Sequence, residues 1–208
     1  YYGASDTCLD SLNQIANFGQ SSALYMRQGD IQVGLVRYDL GRIPPEATVT
    51  EAVLNLWVTR RSDATSALLG LYAMRCPWQE DGATWLDSDV GVPWPAPFAS
   101  GPEEDDEVRI GQALIEVSPT WLSIDISPAV QQWVRHPGEN YGLLLGIRGA
   151  EGVQYQFASS EWGQPQQRPK LTLNYELEPP APRLQPLVWL GIATGIVALL
   201  AAFKGKHT

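Results

Sequence analysis

Between Ala52 and Thr59 the chain alternates strictly: Ala52, Leu54, Leu56 and Val58 are interleaved with Val53, Asn55, Trp57 and Thr59. A repeat of two puts these sets on opposite faces of an extended strand, one apolar and one mixed. The same pattern recurs in Val36, Tyr38 and Leu40 against Leu35, Arg37 and Asp39, and in Leu171, Leu173 and Tyr175 against Thr172, Asn174 and Glu176. Segments 23–27, 67–74, 121–126, 141–147 and 153–158 are further strand candidates. Short strands fenced by turn residues predict an all-β fold, a jelly-roll β-sandwich. The 16 Pro and 19 Gly among 208 residues argue against a helical bundle. One short helix is expected: Ser127 as N-cap, Pro128 as first helical residue, and an apolar face of Val130, Trp133 and Val134. His136-Pro137-Gly138 ends it.

Charge divides the chain. Three of the 14 basic residues (Arg183, Lys204, Lys206) follow residue 182, which leaves 11 against all 23 acidic residues before it, a net of −12. So acidic a domain repels a phosphate backbone, which excludes nucleic acid as a partner. From Leu187 to Phe203 there is no charged side chain, and Lys204 and Lys206 follow at once. As a helix this run spans about 25 Å, which predicts a single transmembrane segment with its ends extended by anchoring residues. The expected organisation is a β-sandwich at 1–176, a Pro-rich linker at 177–186, a transmembrane helix at 187–203 and a tail at 204–208. The lysines place the tail in the cytoplasm and the sandwich outside the cell membrane. Tyr1 then reads as the start of a processed, exported chain. Gly191, Gly195, Ala198 and Ala202 form a small-residue face suited to packing against another transmembrane helix or a membrane-complex subunit within the lipid bilayer.

Catalytic patterns are absent from the sequence. The two histidines are His136, in a turn, and His207, in the tail, and no serine sits in a nucleophile elbow. No metal-ligand spacing or phosphate loop occurs, so neither metal nor cofactor is expected. Glu103 to Glu107 is acidic throughout but lacks the alternating spacing of a calcium loop, and reads as solvated. Asp39 and Asp125 read as acceptors for turn N–H groups, and Trp78, Trp85 and Trp133 as core fillers. Cys8 and Cys76 are the only cysteines. In an exported chain they predict one disulfide, with two free thiols as the alternative. Between Gly91 and Gly101, prolines flank Trp94 and precede Phe98. These two aromatics are candidates for a surface contact with sugar rings or protein, the alternative being that they fold back onto the sandwich.

The run Arg37 to Thr59, RYDLGRIPPEATVTEAVLNLWVT, resembles the signature of DNRLRE-type domains, which are related to a family of carbohydrate-binding modules. Asn17-Phe18-Gly19 with Ser21-Ser22, Trp78-Gln79-Glu80 with Thr84-Trp85, and Ile124-Asp125-Ile126-Ser127 with Trp133 resemble further parts in the same order. So do Asn140 to Leu143 and Arg168 to Leu171. The resemblance covers residues 5–176 except for the insert 87–111. It implies a jelly-roll sandwich that binds or supports and does not catalyse. The functional expectation is an accessory subunit of a membrane complex. A surface-anchored module binding polysaccharide is the alternative, and an exported hydrolase lacks a site.

Overall fold

The computed structural model describes residues 3–29, 31–95 and 109–178. They form β1 (Ala4–Asp10), β2 (Ala23–Arg27), β3 (Gln32–Tyr38), β4 (Thr48–Arg61), β5 (Ala67–Ala73), β6 (Asp87–Asp89) and β7 (Val92–Pro93). There follow β8 (Arg109–Ile115), β9 (Thr120–Asp125), helix α1 (Ser127–Arg135), β10 (Leu143–Arg148), β11 (Gln154–Ala158) and β12 (Lys170–Glu176). Ten strands share one antiparallel sheet, and β6 and β7 form a small separate hairpin.

Strand β4 organises the first layer. Along one edge Val53–Val58 pairs with β9; along the other, β4 pairs first with β12 and then with β11, which continues to β2. The second layer runs β1-β3-β10-β5-β8. The two are joined at the β2–β3 turn by a single pair, Arg27 with Gln32, where the sheet folds over itself. Ala52, Leu54, Leu56 and Val58 of β4 are fully buried, facing Leu69, Leu71, Leu143 and Leu145 of the second layer within one core. Each such side chain contributes about 1.5–3 kcal/mol relative to exposure. The expected all-β, sandwich-like architecture is present.

The second layer is buried on both faces. Leu9, Val33, Leu35, Tyr72 and Leu144 point away from the main core and are covered by Met74, Trp78, Ala83 and Trp94. Runs such as Leu143-Leu144-Leu145 fail to alternate for this reason, since both sides of the strand are apolar environments. The Tyr72 ring lies over Gly70, where a Cβ would come within 2.7 Å of the phenol oxygen. Gly142, at φ +84°, has a second constraint: a Cβ there would meet the Val36 carbonyl oxygen at 2.5 Å. Trp78 anchors the covering segment. Its indole N–H donates to the Tyr141 carbonyl at 2.8 Å, and the Arg37 guanidinium lies 5.1 Å from its ring centre.

The expected helix is found, with one shift. Ser127 is its first residue; the Ser127 hydroxyl accepts from the Ala52 N–H, while Asp125 accepts from the Ser127 N–H. The transmembrane part of the predicted fold class is corrected. No helix among the described residues is long and apolar enough to cross a membrane. Helix α1 has nine residues, and only one of its faces is buried. At 1.5 Å per residue it falls far short of the roughly 30 Å hydrocarbon thickness. Residues 187–203, including Gly191, Gly195, Ala198 and Ala202, lie outside the described residues.

Replacing Trp78 by alanine should lower the unfolding free energy by about 3–5 kcal/mol, because a fully buried ring and its hydrogen bond are both lost. Trp121→Ala, on an open face, should cost about 1 kcal/mol or less. Urea unfolding of the two variants checks the contrast.

Candidate functional site

The outward set of β4 meets its counterparts on both neighbours. Register places Trp57 opposite Trp121 of β9, and Asn55 opposite Ser123 of β9 and Lys170 of β12. The two indoles are 5.3 Å apart between centroids and tilted by 57°. Trp57 is half-buried and Trp121 is exposed. The Lys170 ammonium lies 5.0 Å from the centre of the Trp121 ring. Ser123 donates to Asn55 Oδ1 at 2.8 Å, and the Asn55 amide reaches Thr172 at 3.4 Å. The face therefore offers two adjoining rings bordered by hydroxyl, amide and ammonium groups. Rings with an apolar surface match the C–H face of a sugar, and the polar border matches its hydroxyls.

A second constellation lies at the edge of the second layer. Asp6 of β1, Glu80 of the segment after β5 and Glu161 of the turn after β11 bring one carboxylate oxygen each to within 4.8 Å of the others. The segment carrying Glu80 is clamped to the Asn17–Gly19 turn. The Asn17 amide donates to the Glu80 and Ala83 carbonyls at 2.7 and 2.8 Å, and Gly19 packs so closely on the Glu80 carbonyl that a Cβ would not fit. The Asp6 N–H donates to Glu80 Oε1 at 2.7 Å, and the Ser160 N–H donates to Asp6 Oδ2 at 2.8 Å. The Ser160 hydroxyl donates to Glu161 Oε1 at 2.7 Å. Asp6 is 1 % exposed. Burial, reinforced by the charges of Glu161 and Glu80, pushes its carboxyl up to about 8. Glu80 is also raised, by burial first and then by Glu161 and Asp81, with Arg37 opposing. The Tyr38 phenol is held well above its usual value by burial and by Asp6. The three carboxylates lie closer together than the roughly 5–5.5 Å of a retaining glycosidase pair, so their spacing is not that of a hydrolase pair.

A polar cleft of about 350 Å³ opens between β3 and the end of α1, lined by Tyr38, Asp39, Trp133 and Asn140 among others. Its aromatic Trp133 belongs to the main core. Asp39 accepts from the Gly41 N–H at 2.8 Å and Asp125 from the Ser127 N–H, as turn acceptors do. Trp94 is not a surface residue: it is buried in the outer cluster, and its indole donates to the Thr84 carbonyl at 3.0 Å. It folds back because the hydrophobic face of β3 and β10 needs a cover. Phe98 and the acidic run 103–107 lie outside the described residues. The expected disulfide is not formed. Cys8 points into the main core opposite Gly34, whereas Cys76 packs on the outer cluster, so the two free thiols sit on opposite faces of one layer. Burial pushes the Cys8 thiol up to about 11, which makes it unreactive.

Sequence reasoning assigned no role to Trp57 beyond its outward place in the alternation, and none to Trp121, Asp6 or Glu161. Trp57 and Trp121 become a pair only through β4–β9 register. Asp6 carried one signal, a charged residue within a run that proves to be strand.

Residues 2–90 match the family model of Carbohydrate-binding module family 96. The match spans β1 to β5 and includes Asp6, Trp57, Trp78 and Glu80, as well as the run 37–59 that resembles DNRLRE-type domains. No curated protein matches the chain. Over this span the chain is similar to carbohydrate-binding modules.

In metal-free buffer, stability should fall as pH rises from about 4 toward 8. Over that range the folded state holds a proton on Asp6 that the unfolded chain, at the ordinary value near 3.8, has released. The groups facing it are Glu80, Glu161 and Tyr38, with Arg37 beside Glu80. Asp6→Asn should flatten this limb, as read from urea midpoints at pH 5 and pH 8 in the presence of a chelator.

Proposed function

We propose that the domain is a non-catalytic carbohydrate-binding module whose glycan platform is the Trp57–Trp121 face. The family match over residues 2–90 carries the reading, because the matched family is one of carbohydrate-binding modules. The face supplies what such binding needs. Two rings sit side by side on regular strands, so little side-chain entropy is lost on contact, and Asn55, Ser123, Thr172 and Lys170 border them. The sequence expectation had put an accessory subunit of a membrane complex first. The family match favours the alternative, polysaccharide binding.

Affinity electrophoresis and pull-down against a panel of neutral and carboxylated polysaccharides test the reading. At least one polymer should retard or retain the protein. Trp121→Ala should weaken that binding by about tenfold or more, as loss of a central aromatic anchor does, and Trp57→Ala should act in the same direction. Retention unchanged in the double variant would remove this face as the site, and a panel with no binder would remove the function.

A further inference from the structure

The carboxylate cluster has features that protein groups alone leave unexplained. Asp6 and Glu80 lie 74 positions apart in sequence, and Ser160, next to Glu161, lies 154 from Asp6. Three separate segments therefore converge to place like charges together, which costs energy unless something offsets it. The charges acting on Asp6 are those of Glu161 and Glu80, both negative. Arg37 opposes the shift at Glu80. An independent observation points the same way. Asp6 Oδ1 and Glu161 Oε2 are buried and have no hydrogen-bond partner among the described residues, although their sister oxygens each accept one. A buried unpartnered carboxylate oxygen is a costly arrangement in any folded state.

We infer that Asp6, Glu80 and Glu161 form a binding site for one divalent cation of the calcium type. The donors are all carboxylate oxygens, which suit a hard cation and not a thiolate- or imidazole-seeking transition metal. Calcium's flexible shell at about 2.3–2.6 Å accommodates carboxylates supplied by three separate segments, whereas magnesium demands near-ideal octahedral geometry at about 2.1 Å and keeps several waters in place of protein ligands. A bound ion takes up the two unpartnered oxygens and reverses the repulsion. It also ties the β1 edge strand to the Glu80 segment and to the turn after β11. This holds the N-terminal strand and the outer cluster's cover in place from a single point. The site is separate from the glycan platform: none of its three residues belongs to β4, β9 or β12.

The test uses the full chain, stripped with a chelator and exchanged into metal-free buffer at pH 7. Addition of CaCl2 should raise the melting temperature by several degrees, with MgCl2 giving a much smaller rise. Equilibrium dialysis should find one calcium lost in Asp6→Asn. Glu161→Gln, at a residue less buried as a whole than Asp6, should weaken calcium binding by about tenfold or more while retaining the fold, and serves as the deciding variant if Asp6→Asn does not fold. Binding should tighten from pH 5 to pH 8 as protons leave the cluster. No calcium-dependent shift in the wild-type chain would overturn the inference. So would a shift and stoichiometry that persist unchanged in Glu161→Gln, since the ion would then sit elsewhere, for instance on the acidic run 103–107.

Discussion

A strand paired along both edges has two faces left, and each must find an environment. This constraint on β4 governs the molecule. Its inward residues seed the core between the layers, and its edges recruit β9 on one side and β12 with β11 on the other. Because no described residues cover the outward face in the way the β3–β10 face is covered, the indoles and short polar groups there keep access to solvent. The same strand that secures the core thus presents the platform. Core and platform share one register, and a one-residue slip would exchange them.

Much of the fold was legible. Strands with one wet face announce themselves by alternation, so the cores of β4 and β12 were readable from Ala52 and Leu171 onward. The helix was readable from Pro128 and its apolar spacing. Two strands of the ten-stranded sheet escaped, as did the small β6–β7 hairpin. β1, with Asp6, Thr7 and Asp10 in a seven-residue run, looks too polar for a buried strand; partners for several of its polar groups come from segments outside it. β8, at Arg109–Ile115, was hidden at the end of an insert and has exposed Gln112 and Leu114 in place of a clean pattern.

The sites were less legible than the fold, for a physical reason. A motif is readable when its members share one element, and neither constellation here does. Trp57 and Trp121 belong to strands that meet only through tertiary pairing. The three carboxylates come from a strand, a covering segment and a turn. Trp94 shows the opposite error: a loop rich in proline advertises exposure, yet a second-layer face of Leu35, Tyr72 and Leu144 demanded a lid and took the nearest indole. The cysteines mislead similarly, since an even count says nothing of which face of a sheet each thiol occupies.

The interleaving of strands has a consequence for dissection. The span 2–90 contains β1 to β5, yet in the folded chain β3 is flanked by β10 and β4 by β9, β11 and β12. Each half of the chain therefore exposes unpaired edges until the other arrives. A fragment ending near residue 90 would hold Trp57 without its facing indole and Asp6 without Glu161. Such a half would pair with a second copy of itself or aggregate through its open edges before it could act as a miniature of the whole. Exchange between homologues should accordingly be made at whole-domain boundaries.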